Sequence, residues 1–495
     1  MFRIFSDEAS RMLENKETRK KDPTTLLKSR LKSRRIFPGV HQKVVVFFLS
    51  MFQKSFFMMY RMNCQAIVFI LILSLSSAWG GEDTSMERLD NGLTLLSRRT
   101  KANSILGVIC LIRTGSFYEL SEQNGITNLV QSLLMKGTER FTSAELALAL
   151  ESEGISMNVD ASEDYASVSA EATVDQLDKV LDLMSEVLLH PTFPPEEVEK
   201  ERRNAIAYIH LQEDDKFSLA FKNLREILFE GHPYSQNPEG RPETLEQISR
   251  SQILKFHNRF YKPPNMILAI VGDVPHAPLK KSVERFFGSG VLEPFEIVSL
   301  DKKIDPTPKS RELKKSLEQG FITMGYIGVP MNHKDYPALR VASALLGEGM
   351  ASRFFSDLRD KQGLAYAVGS FYMNLKYQGS VIGYIGTRPE SISQARSGMQ
   401  EMFTKLSEKP IPEEEMERAR NFIIGKFLIN HQTNLKKAFY LAWFEMYGLG
   451  WAFDDQYPDM IRSVLANDVR RVARKYFRSP SIVNLVPEKS PDNKE

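Results

Sequence analysis

The chain has 495 residues, of which 42% are hydrophobic and 26% charged, with a formal net charge of +3. That length holds more than one sizeable core, and roughly two to four domains are expected. The composition excludes disorder throughout, and the small net charge gives no reason to expect nucleic acid. The two cysteines, Cys64 and Cys110, form no Cys-x-x-Cys, which excludes a Cys-based zinc site and a disulfide framework.

Residues 1–57 hold basic runs at 19–21 and 28–35 and a short apolar stretch at 44–49. A bilayer takes about 20 apolar residues to cross, so that stretch is too short. Arg61 then precedes a largely apolar run, 64–77, and a small-residue site around Ala78, Gly80 and Gly81. A basic residue, an apolar core and small residues at a cleavage site form the plan of a secretory signal peptide. Translation is expected to start at Met58, Met59 or Met62, with 1–57 an over-extended N-terminus and 58–80 a signal peptide. The mature protein is then periplasmic or secreted, its Cys110 alone and no internal disulfide available. The alternative is a chain anchored to a membrane by an uncleaved N-terminal segment.

In the body, 89–96 reads as a turn entering a strand and 106–113 as a strongly apolar strand ending at Gly115. Ile126, Leu129, Val130, Leu133 and Leu134 then fall at i, i+3, i+4, i+7 and i+8, the stripe of a helix with one face in a core. Asn128, Gln131 and Ser132 fall at i, i+3 and i+4 on another face, close enough to converge on one point. At that spacing His-x-x-Glu-His holds a metal and activates water. Amides and a hydroxyl are poor zinc ligands, and none is a strong base.

Thr142 and Glu145 form a capping box for a helix to 153. Strands are expected at 155–161 and 165–172, joined by a turn at Glu163 and Asp164. Thr173 and Gln176 are expected to cap a helix through Leu188, and Pro194 and Pro195 to open a long charged helix. Another helix covers 216–229. Thr244 and Gln247 are expected to cap one that ends near Tyr261, before Pro263, Pro264 and a buried strand at 266–271.

Three segments recur in order and at nearly the same offset. Residues 260–270 resemble 476–486, 193–202 resemble 411–420 and, less clearly, 107–115 resemble 321–329. Matches in register point to a duplicated α+β unit. The halves are placed at 85–299 and 314–490, joined by a charged, proline-containing linker at 300–313.

With these segments in view, the chain resembles the pitrilysin/insulinase-type zinc peptidase family. The closer likeness is to its short, two-subunit members, such as mitochondrial processing peptidase and bacterial periplasmic homologues. The carriers are 89–92, the turn at Thr114, Gly115 and Ser116, the helix at 125–138, His232, Pro233 and Tyr234, the run from Tyr261 to Asp273, and 359–366. The resemblance covers about residues 85–490. It implies an α+β fold of two like, sandwich-like halves facing each other across a chamber for an unfolded peptide.

The resemblance also implies roles. The family's zinc helix is matched by Asn128, Gln131 and Ser132, and its third ligand, a Glu, by Tyr208 with Ala207 beside it. All of these depart from the pattern. A further family Glu is matched by Glu201, read as a solvated or ion-paired helix residue. His210 lies two residues beyond Tyr208, about 200° around a helix, and reads as a surface histidine. A zinc site without ligands cannot activate water.

Arg359 and Tyr366 match an Arg/Tyr pair of the family's second half. Their spacing is two helical turns, or a helix end plus a loop, so both can face one cavity. A guanidinium fork and a phenol suit a peptide carbonyl or the oxyanion formed on it. The bland alternative is an Arg in a surface ion pair and a Tyr in the core.

The implied function is that of a zinc-less, non-catalytic subunit, inactive alone. It binds unfolded peptides and lends Arg359 and Tyr366 to a homologous zinc-bearing partner in a heterodimer. No cofactor is expected in this chain, zinc is expected in the partner, and no membrane span remains after leader removal. The alternative is a scaffold or peptide-binding protein with no proteolytic role. An independent metallopeptidase fails on ligands.

Overall fold

The computed structural model describes residues 83–288 and 304–488. The segments expected at 1–57 and 58–80, and the start of the linker expected at 300–313, lie outside them. The first half runs β1 (Asp83–Arg88), β2 (Thr94–Arg99), β3 (Ile105–Ile112), α1 (Ile126–Leu133), α2 (Ser143–Ser152), β4 (Ser156–Ala161), β5 (Ala166–Thr173), α3 (Leu177–Leu189), α4 (Pro195–Asp214), α5 (Lys216–Leu228), α6 (Pro242–Gln247), α7 (Arg250–Phe260), β6 (Met266–Gly272) and α8 (His276–Phe287). The second runs β7 (Ser310–Lys315), β8 (Gly320–Ile327), α9 (Tyr336–Gly347), a π-helical turn (Phe354–Lys361), β9 (Ala367–Asn374), β10 (Gly379–Thr387), α10 (Ile392–Glu408), α11 (Glu413–Asn430), α12 (Asn434–Met446), α13 (Phe453–Arg462), α14 (Ala466–Tyr476) and β11 (Ser481–Pro487).

The duplication is visible in the sheets. The first has the order β1-β2-β6-β3-β5-β4 and the second β7-β11-β8-β10-β9. With β2 set against β7, the orders coincide. In each sheet one pair, β2 with β6 or β7 with β11, is parallel and the neighbours that follow are antiparallel. β1 is an added edge strand on the first sheet. The recurring segments fall on equivalent elements: β3 and β8, the starts of α4 and α11, and the ends of α7 and α14 running into β6 and β11.

β3, β6, β8 and β11 are nearly continuous apolar runs because both faces of their sheets are covered. On the first sheet, Leu106, Val108, Cys110, Leu268 and Ile270 pack with residues of α1, α3, α7 and α8. The alternate residues Ile109, Leu111, Ile267, Ala269 and Val271 point the other way. They meet Ala438, Leu441, Ala442 and Met446 of α12, a helix of the second half.

The exchange is reciprocal. α5 of the first half lays Ala220, Leu224, Ile227 and Leu228 against Phe321, Ile382, Val483 and Leu485 of the second sheet. Burying each such leucine is worth about 2 kcal/mol, so neither half closes its core alone. Gly107 permits the approach: a Cβ there would lie 2.2 Å from the backbone nitrogen of Leu435. Asn434 fixes the start of α12, donating from Nδ2 to the Ile105 carbonyl at 2.7 Å.

Two helix starts differ from expectation. Thr173 makes no side-chain cap; a 3₁₀ turn, Val174–Gln176, leads into α3. The helix expected to begin at Thr244 is two helices, because Ser249 and Gln252 form a capping box that restarts the chain as α7. Thr244 instead donates to the Asn124 carbonyl at 2.7 Å. The capping box at Thr142 and Glu145 forms as expected. Among the described residues no helix is long and apolar enough to cross a membrane.

Candidate functional site

α1 is aimed by a buried carboxylate. Glu119 accepts from the backbone N–H groups of Gly125 (2.8 Å) and Thr127 (2.9 Å) and from Nδ2 of Asn124 (2.9 Å). These donors include ones that a helix start leaves open, and a negative charge there suits the helix dipole. Burial raises the Glu119 carboxyl while the same donors oppose the rise. Gly125 enters the helix at φ 99°, a conformation that favours glycine. Ile126, Leu129, Val130 and Leu133 are buried, as their spacing predicts.

The polar face of α1 is occupied by the chain's own groups. Asn128 donates from Nδ2 to Oε2 of Glu239. Gln131 is 1% exposed. Its Nε2 donates to the carbonyls of Asp160 (2.7 Å) and Ser167 (3.0 Å), on β4 and β5. Both partners only accept, so the amide nitrogen must face them and Oε1 must face away. That oxygen is buried without a hydrogen-bond partner among the described residues. Ser132 turns back on its own helix and donates to the Leu129 carbonyl at 2.9 Å. The three side chains share a helix but are held at three separate places.

On α4, Tyr208 is 50% exposed, whereas the next residue, Ile209, is 1% exposed in the core. Ala207 and His210 are exposed. Glu201 is ion-paired, 3.2 Å from Lys136, which ties α4 to the segment that follows α1.

This donor set does not fit zinc. It offers two amides with committed nitrogens, a hydroxyl bonded to its own helix and a phenol, none of them a good ligand for the ion. Carboxylates stand nearby, but Glu239 is bound by Asn128 and Glu163 is paired with Arg225 at 2.6 Å. Burial raises the carboxyls of Glu239 and Asp160. Burial also opposes ionisation of Glu163, but the Arg225 guanidinium, together with hydrogen bonds from its own backbone N–H and from Ser162, outweighs it and its carboxyl is lowered. Among the described residues no group of three His, Cys, Asp or Glu could hold a metal ion.

Arg359 lies exposed in the π-helical turn, its guanidinium 4.8 Å from the centroid of the Phe355 ring. It has no carboxylate partner among the described residues. Gly363, at φ 62°, turns the chain, and Tyr366 stands 56% exposed just before β9. Its backbone N–H is bonded to the Gly386 carbonyl at 3.0 Å, and its hydroxyl has no partner among the described residues. Among the described residues, then, Arg359 is in no ion pair and Tyr366 is not in the core. No hydrogen bond joins the two side chains.

Sequence reasoning misses Asp164, which reads only as part of a polar turn. The residue is buried and gathers donors from both halves. It accepts from the hydroxyls of Tyr234 (2.6 Å) and Tyr447 (3.0 Å) and from the backbone N–H of Lys376 (2.9 Å). Tyr447 follows α12, and Lys376 lies between β9 and β10. Burial pushes the Asp164 carboxyl up to about 6, against the pull of these donors. The available signal was Tyr234, a bulky residue with a polar tip in a motif of unexplained purpose.

Residues 94–240 match the family described as Insulinase (Peptidase family M16), and residues 247–423 match Peptidase M16 inactive domain. The inactive-domain match begins late in the first half and runs into the second, whereas Asn128, Gln131, Ser132 and Tyr208 all lie within 94–240. An uncharacterized zinc protease of Rickettsia felis is 25% identical over 410 residues, covering 80% of this chain and 96% of the relative. One of Bacillus subtilis is 25% identical over 347 residues, covering 70% and 84%. Among solved structures, a protease from Helicobacter pylori matches with a TM-score of 0.78 at 23% identity, covering 82% of this chain and 100% of that one. A peptidase M16 inactive domain from Pseudomonas fluorescens matches at 0.77 and 19%, covering 83% and 100%. The structural likenesses establish the fold. With family matches to both halves, in order, the chain belongs to the pitrilysin/insulinase-type peptidase family.

Proposed function

We propose that the chain is the zinc-less subunit of a two-chain peptidase of this family. One contrast carries the reading. The positions of the zinc helix hold Asn128, Gln131 and Ser132, their amide nitrogens and hydroxyl bound within the chain, while Arg359 and Tyr366 stand exposed. In a heterodimer with a homologous chain bearing His-x-x-Glu-His, the Arg359 fork and the Tyr366 hydroxyl meet the carbonyl oxygen of an unfolded peptide. They stabilise the negative charge that develops on it. The signal-peptide pattern at 58–80 supports an assembly in the periplasm or outside the cell.

The test is metal content and peptide hydrolysis, measured for the purified chain alone and mixed with a zinc-bearing homologue from the same host. Alone, the chain holds far less than stoichiometric zinc and cleaves nothing. The mixture cleaves faster than the homologue alone, and Arg359→Ala removes the gain. One zinc per chain together with hydrolysis by this chain alone overturns the reading. A mixture no faster than the homologue favours the scaffold alternative.

A further inference from the structure

α14 carries a basic face that the zinc helix and the Arg/Tyr pair leave unexplained. Asn467, Arg470, Arg471, Arg474, Lys475 and Arg478 line a shallow hollow of about 390 Å³. All but Asn467 are cationic. Asp335, buried below, binds two of them, accepting from Arg471 at 2.6 Å and Lys475 at 2.9 Å. Asp468 is 3.9 Å from Arg471.

The other three guanidiniums have no carboxylate partner among the described residues. They are held by carbonyl oxygens instead: Arg470 by Glu408 (3.2 Å), Arg474 by Ser407 (3.1 Å) and Arg478 by Arg474 (3.2 Å). Glu408 and Ser407 close α10, so Arg470 and Arg474 cap the negative end of that helix. Capping accounts for one donor on each of these two forks. It leaves the other N–H groups of Arg474 and the Nη groups of Arg478 without a hydrogen-bond partner among the described residues; Nε of Arg478 holds the Arg474 carbonyl, and Nε of Arg470 is buried.

Crowding like charges is unfavourable unless something anionic offsets it. The planar forks of arginine suit the paired oxygens of phosphate. Tethering to carbonyls orders these side chains before any ligand arrives, which lowers the entropy lost on binding. We propose that the hollow on α14 binds a multiply charged phosphate group, either free polyphosphate or the phosphomonoester of a lipid headgroup. The site does not depend on the zinc-less reading.

Calorimetric titration of the full chain with sodium tripolyphosphate, and sedimentation with phosphatidylcholine vesicles containing phosphatidic acid, separate the two sources. Saturable binding of either is expected, weakening as salt rises. Arg478 is exposed and holds only one carbonyl, so Arg478→Gln should fold with an unchanged melting temperature and bind about tenfold more weakly. Arg474→Gln is the second variant, with the same expected loss. The proposal is overturned if neither probe binds, if both variants bind as the parent does, or if polyglutamate competes as well as tripolyphosphate.

Discussion

α1 of the first half and the 354–366 segment of the second present similar polar groups and treat them in opposite ways. On α1 the amides of Asn128 and Gln131 are bound to Glu239 and to the carbonyls of Asp160 and Ser167. In the second half, the Arg359 guanidinium lies over the Phe355 ring of its own turn, and Tyr366 faces solvent. A group that already has its hydrogen bonds gains little from a substrate. An exposed group with free donors gains more, because it exchanges water for an oriented acceptor. On the function proposed above, α1 remains as a structural member and the second half keeps groups that can act.

The comparison presumes that the two halves stay in register, and Asp164 is the residue that tests this hardest. Asp164→Ala strips the acceptor from two buried hydroxyls and one backbone N–H. A loss of about 4 kcal/mol in unfolding free energy at pH 7 is expected, measured by urea denaturation. The parent's pH dependence carries the matching sign. Because the folded state raises the Asp164 carboxyl to about 6, it holds that proton more tightly than the unfolded chain does. The associated stability is fully present below the ordinary carboxylate value and is lost as pH rises through about 6, amounting to about 3 kcal/mol. Asp164→Asn should flatten that window in melts taken between pH 4 and 7; a parallel pair of curves would refute it.

Gln131→Glu probes the occupied face directly. A carboxylate there would point its oxygens at the Asp160 and Ser167 carbonyls in a buried site. A cost of about 3 kcal/mol is expected, with no gain in hydrolysis. A variant as stable as the parent would mean that the face is less committed than its hydrogen bonds imply. Arg359→Ala probes the free face. In the mixed enzyme it should lower kcat about a hundredfold, as loss of an oxyanion donor does, and leave this chain's melting temperature unchanged. The smallest effect is expected at Lys136→Ala. Its pair with Glu201 is partly exposed, so denaturation should register less than about 1 kcal/mol.

Local pattern was enough for much of this protein. The stripe of Ile126, Leu129, Val130 and Leu133, the capping box at Thr142 and the paired segments at 260–270 and 476–486 are written in residues close together in the chain. The substitution of amides and a hydroxyl at the metal positions is equally local, and ligand chemistry does not depend on what packs around it. Thr244 and Gln247 read as the cap of one helix, but a second capping box, at Ser249 and Gln252, lies a few residues on and starts α7 there.

The tertiary structure alone decided the rest. Periodicity shows that α5 and α12 each bury a face; it does not show that each covers the other half's sheet. The acceptors that bind Gln131 lie on a hairpin far along the chain, and the donors on Asp164 come from both halves. Such contacts follow from the packing of whole elements, and a residue's own neighbours in sequence carry no record of them.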